Sequence, residues 1–138
     1  MRLKATFIAL ILVAAVVVVA AQKKATNKTT ETGQPKVAMD SFEHSFGTIK
    51  AGTPLNHTFK VKNDGKAPLE ITNVSPSCGC TTTNYDKVIA PGQTGGITLA
   101  IDNTESYSGE VVKAAEVTTN DPNKPKFTLT LKANVTAK

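Results

Sequence analysis

The sequence predicts an all-β fold, an immunoglobulin-like antiparallel β-sandwich of about seven strands. Three observations predict it. Apolar and polar residues alternate with a period of two through most of the chain beyond Pro35, the pattern of half-buried strands. Clusters of Gly, Pro, Asn and Asp interrupt that alternation about every 8–12 residues, the spacing of strand-connecting turns. No stretch after Ala21 carries the helical period. The chain has no Trp, and its two cysteines share one loop instead of bridging two sheets. It is therefore a relative of the antibody domains and not one of them.

The chain divides into three parts. Residues 1–21 begin with Arg2 and Lys4 and continue as an apolar run from Phe7 to Ala21. A positive start, an apolar middle and small residues before Gln22 make a secretory signal peptide, with the cut after Ala21. The alternative is an uncleaved N-terminal membrane anchor, since the run of about 17 residues from Ala5 is at the lower limit for crossing a bilayer. Residues 22–35 are polar, rich in Thr and Lys, and without apolar period. They read as a disordered linker with an end-to-end distance of about 20 Å. Residues 36–138 are the sandwich.

Its strands follow in order. Residues 37–46 carry apolar positions with a break at Asp40, as a kinked first strand would. A first turn is expected over residues 47–54. Leu55, His57, Phe59 and Val61 then share one face of the second strand, and His57 is the polar member. Asn63-Asp64-Gly65-Lys66-Ala67-Pro68 is a strong turn. Leu69, Ile71 and Val74 mark the third strand. A short Thr-rich segment follows at residues 81–83. Ala90-Pro91-Gly92-Gln93 suits a type II turn, with Pro second and Gly third. Ile97, Leu99 and Ile101 alternate again. Residues 102–109 form a polar loop. Val111, Ala115 and Val117 fit the next strand, with Lys113 the odd member of that face. Asn120 to Pro125 turns the chain into a last strand carrying Phe127, Leu129, Leu131, Ala133 and Val135.

Several of these stretches carry a resemblance. They are His44-Ser45-Phe46-Gly47-Thr48-Ile49, His57 to Gly65, Pro68-Leu69-Glu70-Ile71, Ser77-Cys78-Gly79-Cys80-Thr81, Pro91-Gly92 and Thr119-Asn120-Asp121-Pro122. In this order and at this spacing they resemble the DUF1573 family, exported bacterial domains of unassigned function. The resemblance covers nearly all of residues 41–135. It implies a sandwich similar to the Ig-like modules of the sperm-protein, Hydin and pilus-chaperone type, and a place in the cell envelope. It implies no reaction.

Charge excludes one class of partner. The chain has 16 basic and 11 acidic residues, a net charge of +5. Four of the bases, Lys23, Lys24, Lys28 and Lys36, lie in or beside the linker, so the sandwich is close to neutral. No basic stripe is interleaved with aromatics, which argues against nucleic acid. A membrane is a partner only if residues 1–21 stay attached.

Reactive chemistry is concentrated at Cys78-Gly79-Cys80. Two residues apart in an extended strand, the Cα atoms lie about 7 Å apart, beyond the usual reach of a disulfide at roughly 4.4–6.8 Å. A Cys78–Cys80 disulfide therefore needs a bend, and Gly79 can supply it. As a staple it is weak. Closing three residues is worth about 1.6 kcal/mol, against about 3 for a fifteen-residue loop. Alternatively, two thiolates suit a soft ion such as Cu(I), or half a zinc site. His57 is then the candidate third ligand and His44 a further one. His57 begins the second strand, Cys78 follows the third, and antiparallel neighbours would bring both to one end of the sandwich. A third use of the pair is thiol exchange, although no helix N-terminus is at hand to lower a thiol pKa.

No other catalytic set stands out. Carboxylates are scattered, and neither a nucleophile elbow nor a phosphate-binding glycine pattern occurs. The chain is thus expected to be no enzyme, with no cofactor unless Cu or Zn sits at the cysteines. Its expected role is a non-catalytic binding or structural module of the cell envelope with a protein partner, which an exposed strand edge could engage. The alternative is a soft-metal-binding or thiol-redox protein using the cysteine loop.

Overall fold

The computed structural model describes residues 33–137, and these form nine strands and no helix. The expected signal segment and linker residues 22–32 lie outside the described residues. The strands are β1 (Val37–Ala38), β2 (Glu43–Lys50), β3 (Leu55–Asn63), β4 (Leu69–Pro76), β5 (Thr82–Tyr85), β6 (Val88–Ile89), β7 (Thr94–Ile101), β8 (Gly109–Thr119) and β9 (Lys126–Thr136). They make a four-stranded sheet in the order β1-β3-β7-β5 and a five-stranded sheet in the order β2-β9-β8-β4-β6.

The alternation read in the sequence becomes the inner faces of these sheets. On β3, Leu55, Phe59 and Val61 are buried while Asn56, Thr58, Lys60 and Lys62 are exposed. Ile97, Leu99 and Ile101 of β7 pair directly with Phe59, His57 and Leu55 and are fully buried. Leu69, Val117, Leu129 and Leu131 face them from the other sheet. Each such aliphatic side chain contributes about 1.5–3 kcal/mol on leaving water, and the sum holds the two layers together.

Val74 belongs to the core although it breaks the period of two. The register of β4 against β8 shifts between Ile71 and Asn73. One extra residue there turns Val74 inward after Leu69 and Ile71.

Four features differ from the sequence expectation. Residues 37–46 are not one kinked strand: β1 pairs with β3, whereas β2 pairs with β9 in the other sheet. Periodicity specifies which face is apolar but not which sheet receives it. The pairing of β2 with β9 is parallel, in a sandwich otherwise antiparallel. Gly47 does not begin a turn. It sits inside β2 with φ 69°, where the register slips between Ser45 and Thr48. Only Gly adopts that backbone cheaply, so it serves as a bulge. Finally, Val88–Ile89 adds a short edge strand on β4. The split first segment and β6 account for the count exceeding seven.

The turn end opposite the cysteines is secured by buried polar side chains. Asn63 completes the inward row of β3 and is fully buried. Its Nδ2 donates to the carbonyls of Ala67 (2.8 Å) and Ile89 (2.9 Å), while Oδ1 accepts from the Gly65 and Lys36 amides. Asp121, also buried, accepts from the Val37 amide at 2.8 Å and the Asn123 amide at 2.8 Å. Nearby, Gln93 N–H donates to Ala90 O (3.0 Å) with Gly92 at φ 75°, as the type II reading requires. Gln34, from the expected linker, accepts from the Lys66 amide.

Candidate functional site

At the other end, β4 stops at Pro76, opposite Ala115 of β8. The Ser77 amide makes one last bond to that sheet, donating to Ala114 O at 2.8 Å. The chain then crosses to the first sheet, where Thr82 opens β5 opposite Ala100 of β7. The crossing is a tight turn, Thr81 N–H donating to Cys78 O at 3.3 Å.

Inside that turn Cys78 and Cys80 are joined by a disulfide, with their Cα atoms 5.3 Å apart. The turn, and not an unusual glycine backbone, brings them together. Gly79 is not at positive φ, and a Cβ there would meet nothing within 4 Å. The bend expected from glycine's freedom is one that other residues can also adopt.

The two cysteines differ in setting. Cys80 is exposed, whereas Cys78 is half-buried. The Thr81 side chain is buried, and its Oγ1 lies 3.7 Å from Cys78 Sγ. A disulfide sulfur has no proton to give, so the hydroxyl is the donor. Sequence reasoning placed Thr81 in the motif without a role. The signal was a polar residue on the strand-side flank of the loop.

The trio Cys78, Cys80 and His57 is not gathered. The loop and His57 do share one end of the sandwich, since Asn56 and Thr82 both pair with Ala100. Laterally, however, β7 lies between β3 and β5, and two strand spacings amount to roughly 10 Å. Zinc–ligand distances are about 2.0–2.3 Å. Among the described residues no group of three or more His, Cys, Asp or Glu could hold a metal ion.

His57 meets His44 instead. Their rings stack with centroids 3.6 Å apart and planes within 4°. Phe46 packs edge-on against His44 at 4.7 Å, and Phe59 against His57 at 4.6 Å. The stack bridges β2 of one sheet and β3 of the other. Burial pushes the His57 imidazole below its ordinary value, and the charge on His44 beside it adds to that. Further along the same inner row, Lys113 pairs with Leu131 and extends its ammonium to 4.5 Å above the Tyr107 ring. An odd cation on an apolar face is thus met by an aromatic face. Neither histidine hydrogen-bonds a Ser, Thr or Cys side chain among the described residues.

Two sheets in this order, with β4 handing the chain across to β5, make an immunoglobulin-like β-sandwich. The human CEP192 ASH/PapD-like domain 7 matches it with a TM-score of 0.56 at 10% identity, covering 76% of this chain and 88% of that one. A protein of unknown function from Porphyromonas gingivalis W83 matches with a TM-score of 0.61 at 21% identity over 74% of this chain. The VesB protease of Vibrio cholerae matches at 0.57 and 13% over 73%. The chain spans 46% of the Porphyromonas protein and 32% of VesB, and these likenesses concern the fold. No curated protein matches the sequence. The model of the family described as "Protein of unknown function (DUF1573)" matches residues 37–135, and the chain belongs to that family.

Proposed function

We propose that this chain is a non-catalytic binding or structural module of the bacterial cell envelope, which meets a protein partner through the end of the sandwich carrying the Cys78–Cys80 loop. One observation carries the reading: the disulfide closes a turn of three residues on the surface and is not part of the core. A bond that adds about 1.6 kcal/mol at most is a poor staple for a domain with two packed sheets. It is better suited to fixing the shape of a contact loop, because a preorganised loop loses less entropy when a partner orders it.

Export is part of the same reading. With residues 1–21 removed, the domain would be delivered to a compartment where disulfides persist. Intact-mass measurement on protein recovered from the envelope is expected to lack residues 1–21. A mass that includes them would leave a membrane-anchored domain.

Site-specific photocross-linking tests the contact surface. A cross-linker at Ser77 should capture an envelope protein, and one at Asn123, at the opposite end, should not. Capture from Asn123 alone would overturn the assignment of the surface.

A further inference from the structure

We propose that the Cys78–Cys80 disulfide is a thiol-exchange site for a dithiol, with Cys80 as the sulfur attacked and Cys78 as the sulfur that leaves. The proposal goes beyond partner binding and does not depend on it. Three features of the loop support it.

The first is access. Cys80 is exposed while Cys78 is half-buried, so of the two residues Cys80 is the more open to an incoming thiolate. Exchange requires attack on an accessible sulfur.

The second is the fate of the departing electrons. Cys78 Sγ already receives the Thr81 hydroxyl at 3.7 Å, and Thr81 is buried at 6% exposure. A hydrogen bond to the charged form of a group lowers its pKa, and a leaving thiol of lower pKa departs faster. The hydroxyl is already placed where the thiolate charge will develop. Cys80 has no such partner among the described residues.

The third is that the disulfide is not the sole closure of the turn. The turn is also closed by Thr81 N–H to Cys78 O, and Ser77 is held by Ala114. Breaking the S–S bond leaves those backbone bonds in place, so the reduced loop stays mounted on β4 and β5.

The exchange balances in two steps. One thiolate of the dithiol attacks Cys80 Sγ. A mixed disulfide forms at Cys80, the Cys78–Cys80 bond breaks, and Cys78 leaves with the electron pair as a thiolate. The second thiol of the partner, deprotonated, then attacks its own sulfur in the mixed disulfide and expels Cys80. The dithiol has lost two electrons and two protons and become a disulfide. Cys78 and Cys80 have gained both and become thiols. The reverse sequence reoxidises the loop at the expense of another disulfide.

Dithiothreitol serves as the probe. The mature, oxidised chain is mixed with it without denaturant, quenched, alkylated and weighed. The disulfide is expected to open while the protein stays folded. Thr81→Val should slow the opening roughly three- to tenfold, the scale of a lost hydrogen bond to a leaving thiolate. Thr81→Ser should restore it. A second arm does not depend on the Thr81 variants folding. Treated briefly with reduced glutathione, quenched by alkylation and mapped by peptide mass, the oxidised parent chain should carry glutathione at Cys80 and the alkyl group at Cys78. A disulfide that resists dithiothreitol until the domain unfolds would overturn the proposal. So would glutathione found equally at Cys78 and Cys80, or a folded Thr81→Val that opens as fast as the parent. Cross-linking from Ser77 reads partner contact separately, so either idea can fail alone.

Discussion

The two ends of the sandwich use polar residues in opposite ways. At one end, Asn63 and Asp121 are buried and their side chains serve as hydrogen-bond hubs for the turns around them. At the other, the cysteine loop projects its disulfide to the surface, with Cys80 exposed. All three lie in stretches that resemble the family, Asn63-Asp64-Gly65, Thr119-Asn120-Asp121-Pro122 and Ser77 to Thr81. The first two are accounted for by the fold, since a buried donor or acceptor must be satisfied. The third is not, and this is where a functional explanation is needed. A shared motif alone does not mark a site. Burial and hydrogen bonding separate a residue that completes a turn from one the fold leaves available.

Perturbing each region should show this difference as a ladder of losses. The scale is set midway between the ends. Phe59 is 2% exposed, and Phe59→Ala should cost about 3–5 kcal/mol, a large share of the stability of a domain this size. Chemical denaturation measures it, and a near-unchanged midpoint would mean that the inner face of β3 is misassigned.

The hub end comes next. Asp121→Ala leaves the buried Val37 amide without its acceptor, at about 1–3 kcal/mol, and removes the part-buried Asn123 bond, worth about 0.5–1.5 kcal/mol. A loss of about 2–4 kcal/mol is expected, and release of β1 should appear as faster amide exchange at Val37. Protection at Val37 equal to that of the parent would show that β1 does not rely on the carboxylate.

A smaller, pH-dependent effect belongs to the histidine stack. The His57 pKa is held below 6.5 in the fold, so the unfolded chain takes up that proton first. Stability should therefore fall as pH drops below about 6.5 and level off below the folded value. His57→Gln should flatten that part of the melting profile between about pH 7.5 and 5. An unchanged slope would assign the titration elsewhere.

Much of the fold was legible because a half-buried strand writes its face into a period of two. Leu55, Phe59, Val61, Ile97, Leu99 and Ile101 all fall where alternation put them. Asn63 lay in the same inward row and could have been read from parity. Sheet membership was not legible. That residues 37–38 and 43–50 enter different sheets depends on long-range pairing, which local periodicity does not encode. The same blindness affected the site. Topology brought His57 to the correct end, but only strand order shows β7 standing between it and the loop. The His44–His57 stack joins two sheets, and Thr81's contact with Cys78 needs the turn geometry.

The central claim is that the cysteine loop serves function while the opposite end serves the fold. Its most direct test is the melting temperature of the double variant Cys78→Ser, Cys80→Ser beside that of the parent. The lost cross-link is worth at most about 1.6 kcal/mol, and a shift of about 4–8 °C per kcal/mol applies to domains of this size. The account predicts a folded, cooperative domain whose melting temperature falls by no more than about 13 °C, less than for Asp121→Ala. A double variant that fails to fold, or that loses as much as Asp121→Ala, would contradict it and make the disulfide a structural staple.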